Sequence, residues 1–357
     1  SFWQGNVGTD TGGSIISPAN ATMLVGIRPT LGRLSRWGIA PVTLDHDMAG
    51  PMTRSVADAA VMLGALESAE ADPNDPATGV CAPPPGRDYT PHLVADGLLG
   101  ARIGVPRAYY YDAITVAGRS MGGLNADGAA LMAQAIAALE AAGAVIVDPA
   151  DVPSFVDPDP QNNFAVWDIC VGGEQAKGAD QECTINFKYG MKRDFNDWLE
   201  GLGDSAPVKT LTELREWNLA HREAGSMKYE QSRFDISDEM DLEGDRARNE
   251  VDMAKDVLLS RTRGIDAVLE EHNLDAILTP SSMGAGLAAR AGTPIIVVPF
   301  GFVSRAGDSS FPEGFDPNPA PFGVGFNGAA CSEPRLIELA YAFEQATRGR
   351  VPPPLFP

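Results

Sequence analysis

Gly8-Thr9-Asp10-Thr11-Gly12-Gly13-Ser14-Ile15 is the stretch on which the reading of this sequence turns. It follows an apolar run, Phe2 to Val7, that reads as a strand entering a tight loop. Adjacent glycines reach backbone conformations that a Cβ forbids, and they let another molecule approach the main chain closely. Successive N–H groups in such a loop can converge on an anion. A serine closing the loop has the makings of a nucleophile beside its own oxyanion hole. Two plainer readings use the same residues. One is a glycine turn carrying a solvent-facing serine. The other is half of a phosphate loop, for which Gly8 to Gly13 has the spacing. In that case Ser14 stands where the lysine belongs, which removes the charge a phosphate site relies on.

The sequence downstream separates these readings. Gly8 to Thr30 reads GTDTGGSIISPANATMLVGIRPT, followed by GRLSRWGI at Gly32 to Ile39 and DMAGPMTRSVADAA at Asp47 to Ala60. In order and spacing this block resembles the amidase signature family, whose members hydrolyse carboxamides with a Ser–Ser–Lys triad. The resemblance returns in Ala291 to Pro299, in Pro321 to Phe326, and in the run from Ser332 to Thr347 that leads to Pro352-Pro353. It implies that Ser14 is the acyl-accepting nucleophile. It further implies an oxyanion hole made from the N–H groups of Thr11, Gly12, Gly13 and Ser14, with Asp10 tying the loop down from behind. The implied fold is α/β, with a mixed, twisted central sheet covered by helices on both sides. Its substrate would be a small-molecule or peptide amide, and neither a cofactor nor a metal is implied.

The sequence departs from the family pattern in two places. Many members carry Arg two residues after the serine, where this chain has Ile16, so an Asp10–Arg contact of that kind is not expected. The family's second serine, held by a cis peptide bond, and its lysine base lie farther upstream than the 13 residues before Ser14. The lysines here start at Lys177 and continue with Lys188, Lys192, Lys209, Lys228 and Lys255, all in a polar helical region that reads as solvated. The resemblance therefore covers the C-terminal two-thirds of an amidase. The expectation that follows is a second chain, the N-terminal fragment of the same amidase, bringing the cis-serine and the lysine across a large apolar interface. Two other readings stand beside it. An amino-terminal-nucleophile hydrolase would use Ser1, and a non-catalytic binding or assembly subunit would keep the fold and lose the triad.

Composition sets the bounds. The 48 acidic and 27 basic residues give a formal charge of −21, a field that repels nucleic acid and anionic membrane surfaces. No apolar run reaches the 18 residues of a membrane span, so a soluble protein is expected, with the cytoplasm ahead of secretion and a homo-oligomer compatible with both. Cys81, Cys170, Cys183 and Cys331 show no zinc spacing. Cys170 and Cys183 are a candidate disulfide, and four buried free thiols are the alternative. His46, His92, His221 and His272 have no metal-binding spacing either, and His46, between Asp45 and Asp47, reads as a charged surface turn.

One domain spanning residues 1–357 is expected. Strands are read at Met23 to Ile27, Ala101 to Val105, Val145 to Val147, Leu274 to Leu278, 294–300 and 322–326. Ser55 with Asp58, and Thr210 with Glu213, form capping-box patterns that open helices. A helix carrying Met132, Ile136 and Leu139 is stopped by Gly143, and one long helix runs from about Arg246 to Glu271, capped by Asn273. The closing helix takes Ser332 as N-cap with Leu336, Leu339, Ala340 and Phe343 inward. Residues 68–99, rich in Asp, Pro and Gly, read as a surface excursion, and the helical segment 150–245 as the pocket rim.

Overall fold

The structure, a computed structural model, describes residues 3–170, 182–305, 310–312, 314–315 and 317–353. Ser1, Phe2 and Lys177 lie outside the described residues. The strands are β1 (Gly5–Asp10), β2 (Val25–Arg28), β3 (Met48–Thr53), β4 (Arg102–Gly104), β5 (Ile114–Val116) and β6 (Arg119–Met121). They continue with β7 (Val145–Val147), β8 (Asp168–Ile169), β9 (Cys183–Thr184), β10 (Ala276–Pro280), β11 (Ile295–Val303) and β12 (Ala320–Asn327). One eight-stranded sheet has the order β1-β3-β2-β11-β12-β10-β4-β7. Its first half is antiparallel, whereas β10, β4 and β7 run parallel. The helix Ala126–Ala141 makes the crossover between β4 and β7 that the strand–helix–strand pattern implies. Central strands are buried along their length, as a sheet covered on both faces requires: β2 and β10 have no exposed residue.

Most element boundaries follow the sequence signals. Ser55 accepts a hydrogen bond from the Asp58 N–H and Thr210 from the Glu213 N–H, so both caps form. Asn273 takes the left-handed conformation, with φ 49°, that ends a helix. Leu336, Leu339, Ala340 and Phe343 are fully buried beneath the closing helix Glu333–Thr347. Ser332 holds the N-cap position there without a side-chain cap bond.

β3 contains Pro51 and pairs with β2 only through Met52 and Thr53, leaving Pro51 a partner on the β1 side alone. Two readings are corrected. The long helix is broken. Arg246–Val257 is α-helical, Leu258–Ile265 widens into a π-turn with Gly264 at φ −109° and ψ −115°, and Asp266–His272 resumes. The cysteines are not free thiols: Cys170 pairs with Cys183, and Cys81 with Cys331.

The second bond follows from how the excursion folds back. Arg33 bridges Glu67 at 2.6 Å and Glu333 at 2.9 Å, and the Tyr89 hydroxyl donates to Glu67 at 2.8 Å. Arg36 holds Asp75, so the segment after the helix Val56–Leu66 is pinned against the turn before the closing helix, where Cys331 sits. A bond joining positions 250 residues apart removes much of the freedom of the unfolded chain. Cys81→Ser is expected to lower unfolding stability by about 2–5 kcal/mol in urea titrations. An unchanged midpoint would show that the ion pairs alone hold this segment.

Candidate active site

β1 delivers its last residue, Asp10, into the interior, where it is 1% exposed. From there its carboxylate gathers the loop that follows. Oδ1 accepts from the Gly13 N–H at 2.7 Å, and Oδ2 from Ile15 at 2.8 Å and Ile16 at 3.4 Å. Thr11 is drawn the other way, its hydroxyl donating to Asp47 Oδ1 at 2.5 Å. Gly13 takes φ +132°, and a Cβ there would stand 3.3 Å from Ala285 Cβ, so glycine is what the turn admits. With Ile15 and Ile16 fully buried just beyond, the loop is fixed at both ends while Ser14 stays exposed.

The Asp10 carboxylate thus accepts from three N–H groups of the loop, and its counter-ion comes from outside the loop. Arg28, at the end of β2, lies 3.3 Å from Asp10 Oδ1, both side chains fully buried. The Arg28 Nη2 donates to the His46 carbonyl at 2.6 Å and Nη1 to that of Thr293 at 3.3 Å. Where the resemblance places an arginine this chain has Ile16, and Arg28 brings a guanidinium to Asp10 from β2, on the far side of β3. Of the four N–H groups expected to face an oxyanion, that of Gly13 is committed to Asp10. Its assignment to the oxyanion hole is corrected on that ground. Those of Thr11, Gly12 and Ser14 make no hydrogen bond among the described residues, nor does the Ser14 hydroxyl.

His46 is not part of a surface turn. It is 4% exposed, with Nε2 3.1 Å from Asn186 Nδ2. Burial, aided by the charges of Arg290 and Arg28, pushes its pKa down to about 4. Asp47 is also buried, and burial pushes its pKa up to about 6 against the hydrogen bonds from Thr11, Val42 and Thr43. Lys188 likewise departs from expectation: it is buried, bound to Glu239 rather than solvated. Lys192 donates to the carbonyls of Asp238 and Met240 at 2.7 and 2.8 Å.

His46 and Asp47 affect stability in opposite senses. His46 is depressed from 6.5 to about 4, so its contribution is complete above about pH 6.5 and lost as the pH falls toward 4. Asp47 is raised from 3.8 to about 6, so the folded state holds that proton more tightly and its contribution fades as the pH rises from 4 to 6. Asp47→Asn removes the opposing slope. Between pH 6.5 and 4.5 the variant is expected to lose about 1–3 kcal/mol more stability than the parent, read from urea midpoints. An equal or smaller loss would contradict the assignment of these two groups.

Thr11 and Gly12 open onto a cavity of about 470 Å³. A larger one, about 1200 Å³, lies beside Arg36, His46 and Arg290. Residues of 150–245 wall both: Phe155, Phe164 and Trp167 the first, Asn186, Arg193 and Trp198 the second. No cluster of metal-ligating side chains occurs among the described residues, and no helix among them is long and apolar enough to cross a membrane.

The amidase sequence profile matches residues 2–337, nearly the whole chain. The chain belongs to the amidase family. Among amidases it is similar to a probable amidase of Arabidopsis thaliana, 31% identical over 350 residues, covering 98% of this chain and 58% of that one. It is also similar to a glutamyl-tRNA(Gln) amidotransferase subunit of Cereibacter sphaeroides, 32% identical over 361 residues, covering 96% of this chain and 64% of that one. The crystal structure of the native peptide amidase of Stenotrophomonas maltophilia superposes with a TM-score of 0.75 at 32% identity, over 98% of this chain and 63% of that one. The chain thus spans about 58–64% of the length of these amidases.

Within this amidase framework the residue that sequence reasoning missed is Arg28. It sits in the quoted block, in Gly26-Ile27-Arg28-Pro29, yet a lone Arg ending an apolar run carries no sign of the carboxylate it meets. A charged residue closing a fully buried strand was the available signal, because buried charges are paired.

Proposed function

We propose that this protein hydrolyses carboxamides through an acyl-enzyme on Ser14. The Ser14 hydroxyl oxygen attacks the amide carbonyl carbon, and the C–N bond of the tetrahedral adduct breaks with release of ammonia or an amine. Water then cleaves the Ser14 ester to give the carboxylic acid and restore the hydroxyl. The N–H groups of Thr11, Gly12 and Ser14 receive the oxyanion, each such donor contributing about 3 kcal/mol to the transition state. Asp10 is a positioning residue, fixing the loop through Gly13 and Ile15. The observation that carries this reading is the division of the loop: Asp10 consumes the Gly13 N–H, and the N–H groups of Thr11, Gly12 and Ser14 make no hydrogen bond among the described residues around an exposed serine.

Neither a lysine nor a histidine hydrogen-bonds the Ser14 hydroxyl among the described residues. In this proposal the cis-serine and lysine base belong to an N-terminal segment or fragment outside the 357 residues, associated with the same single amidase domain. The substrate is a linear or peptide amide, a reading supported by the peptide amidase likeness and by a net charge of −21 that disfavours a nucleic-acid partner. The test is ammonia release from a panel of primary amides, in the presence and absence of hydroxylamine, using the protein with any natural sequence that flanks these residues. Diversion of product to the hydroxamate is expected, because hydroxylamine captures an acyl-enzyme. No ammonia from any amide would favour the assembly-subunit reading instead.

A further inference from the structure

We infer that the cavity beside Thr11 and Gly12 is a side-chain pocket that selects amides whose acyl part bears an uncharged aromatic or bulky aliphatic group. The inference rests on the Ser14 reading, since it takes the acyl carbon to lie over that loop. The cavity, about 470 Å³, falls within the range of roughly 300–1,000 Å³ usual for small-molecule sites. Its wall is an aromatic cluster built around Phe155, which is 2% exposed. Ring centroids stand 4.7 Å from Phe155 to Tyr109, 5.3 Å to Tyr110 and 5.2 Å to Phe164. Such rings favour offset and edge-on partners, so a further ring entering the cavity finds that geometry already laid out. Tyr109 is held with φ 72°, a conformation unfavourable for a bulky residue. The Asp112 carbonyl, which accepts from the Tyr109 N–H, and the Gly123 N–H, which donates to the Tyr109 carbonyl, fix it there.

Charge around the cavity points the same way. Arg290 borders it, but its Nε and Nη2 are committed to Asp256, its Nη1 donates to the Trp167 carbonyl at 2.7 Å, and Phe164 covers it at 4.6 Å. The guanidinium is therefore spent on the wall and offers little to a substrate carboxylate. Asp168 places a carboxylate at the rim, paired with Arg119 at 3.6 Å. An acyl side chain ending in a carboxylate therefore finds the bordering guanidinium already committed, whereas an uncharged ring finds the aromatic wall.

Gly286 provides the handle for a test. It lines the cavity from the helix Ala285–Ala291, and a Cβ built there meets nothing within 4 Å, so a larger side chain projects into the cavity without displacing backbone. The experiment compares N-acetyl-phenylalaninamide, N-acetyl-glycinamide and the α-amide of N-acetyl-glutamate as substrates of the parent and of Gly286→Leu. Calorimetric binding of the same three amides to Ser14→Ala, with and without Gly286→Leu, runs alongside. In the parent, kcat/KM for the phenylalanine amide is expected to exceed that for the glycine amide about 10- to 150-fold, the worth of burying a phenyl ring. The glutamate amide should fall at or below the glycine amide. In Gly286→Leu the ratio is expected to fall below about 3-fold, and binding of the phenylalanine amide should weaken in parallel. A parent ratio near one, or a high ratio that Gly286→Leu leaves intact, overturns the inference. If no amide turns over, the Ser14 reading fails, and the binding arm still decides the pocket: equal affinity for the phenylalanine amide with and without Gly286→Leu overturns it.

Discussion

Ser14→Ala is expected to lower ammonia release at least ~10⁴-fold while changing amide binding less than about 3-fold. The asymmetry comes from what the serine does and what it leaves alone. Its hydroxyl makes no hydrogen bond among the described residues, so its removal costs the fold little. The loop is held by Asp10 to Gly13, Ile15 and Ile16, and by Asp47 to Thr11, contacts that pass through no atom of the Ser14 side chain. The N–H groups that would receive the oxyanion therefore stay in place, and only the bond-forming atom is lost. Thermal unfolding and calorimetry of the variant check both halves. Turnover within tenfold of the parent would move the nucleophile elsewhere in the sequence.

Asp10→Asn should damage both stability and catalysis. The substitution removes the negative partner of a fully buried guanidinium, leaving Arg28 uncompensated 3.3 Å away. Breaking a buried pair by removing one partner costs about 3–5 kcal/mol, a large share of a domain's roughly 5–15 kcal/mol. The amide nitrogen of the new side chain would also face a backbone N–H it cannot accept, either at Gly13 or at Ile15. Urea denaturation should show the loss, and kcat should fall more than KM rises because the loop no longer holds its N–H groups. Adding Arg28→Met to Asp10→Asn is expected to recover part of the stability, since it removes the stranded charge, without recovering kcat. Recovery of both together would mean that Asp10 acts through stability alone.

Much of the sheet was legible because its strands are apolar runs between turn residues, and buried strands leave that signature in any sequence. β10, β11 and β12 are of this kind. β3 was not, because Gly50 and Pro51 interrupt it; pairing with β1 along its length, and with β2 at Met52 and Thr53, makes it a strand. The helix caps at Ser55 and Thr210 could be read locally, being local hydrogen bonds. The π-turn at Leu258–Ile265 could not, since its residues keep helical hydropathy through the change of winding.

The site divides along the same line. The loop from Thr11 to Ser14, with Asp10 before it, is contiguous, so glycine content and residue order exposed it. What sets the loop's geometry arrives from outside it: Arg28 from β2, Asp47 from the segment before β3, and Ala285 from a helix some 270 residues on. His46 shows the converse error. Flanked by two aspartates it looked solvated, yet Asn186 and Arg290, from distant segments, enclose it. Local composition cannot report burial that tertiary packing creates. The commitment of the Gly13 N–H to Asp10 is also a matter of geometry, because either of two adjacent glycines could have faced the oxyanion.

The central claim is that the substrate's acyl group passes through the Ser14 oxygen. Rapid acid quenching during turnover of a slowly deacylating amide or ester, followed by mass spectrometry of the digested protein, tests it directly. The expected result is a mass increase equal to the acyl group, confined to the peptide containing Gly8 to Ile15 and absent from Ser14→Ala. An acyl group on any other peptide, or turnover with no adduct and no hydroxylamine capture, would contradict it.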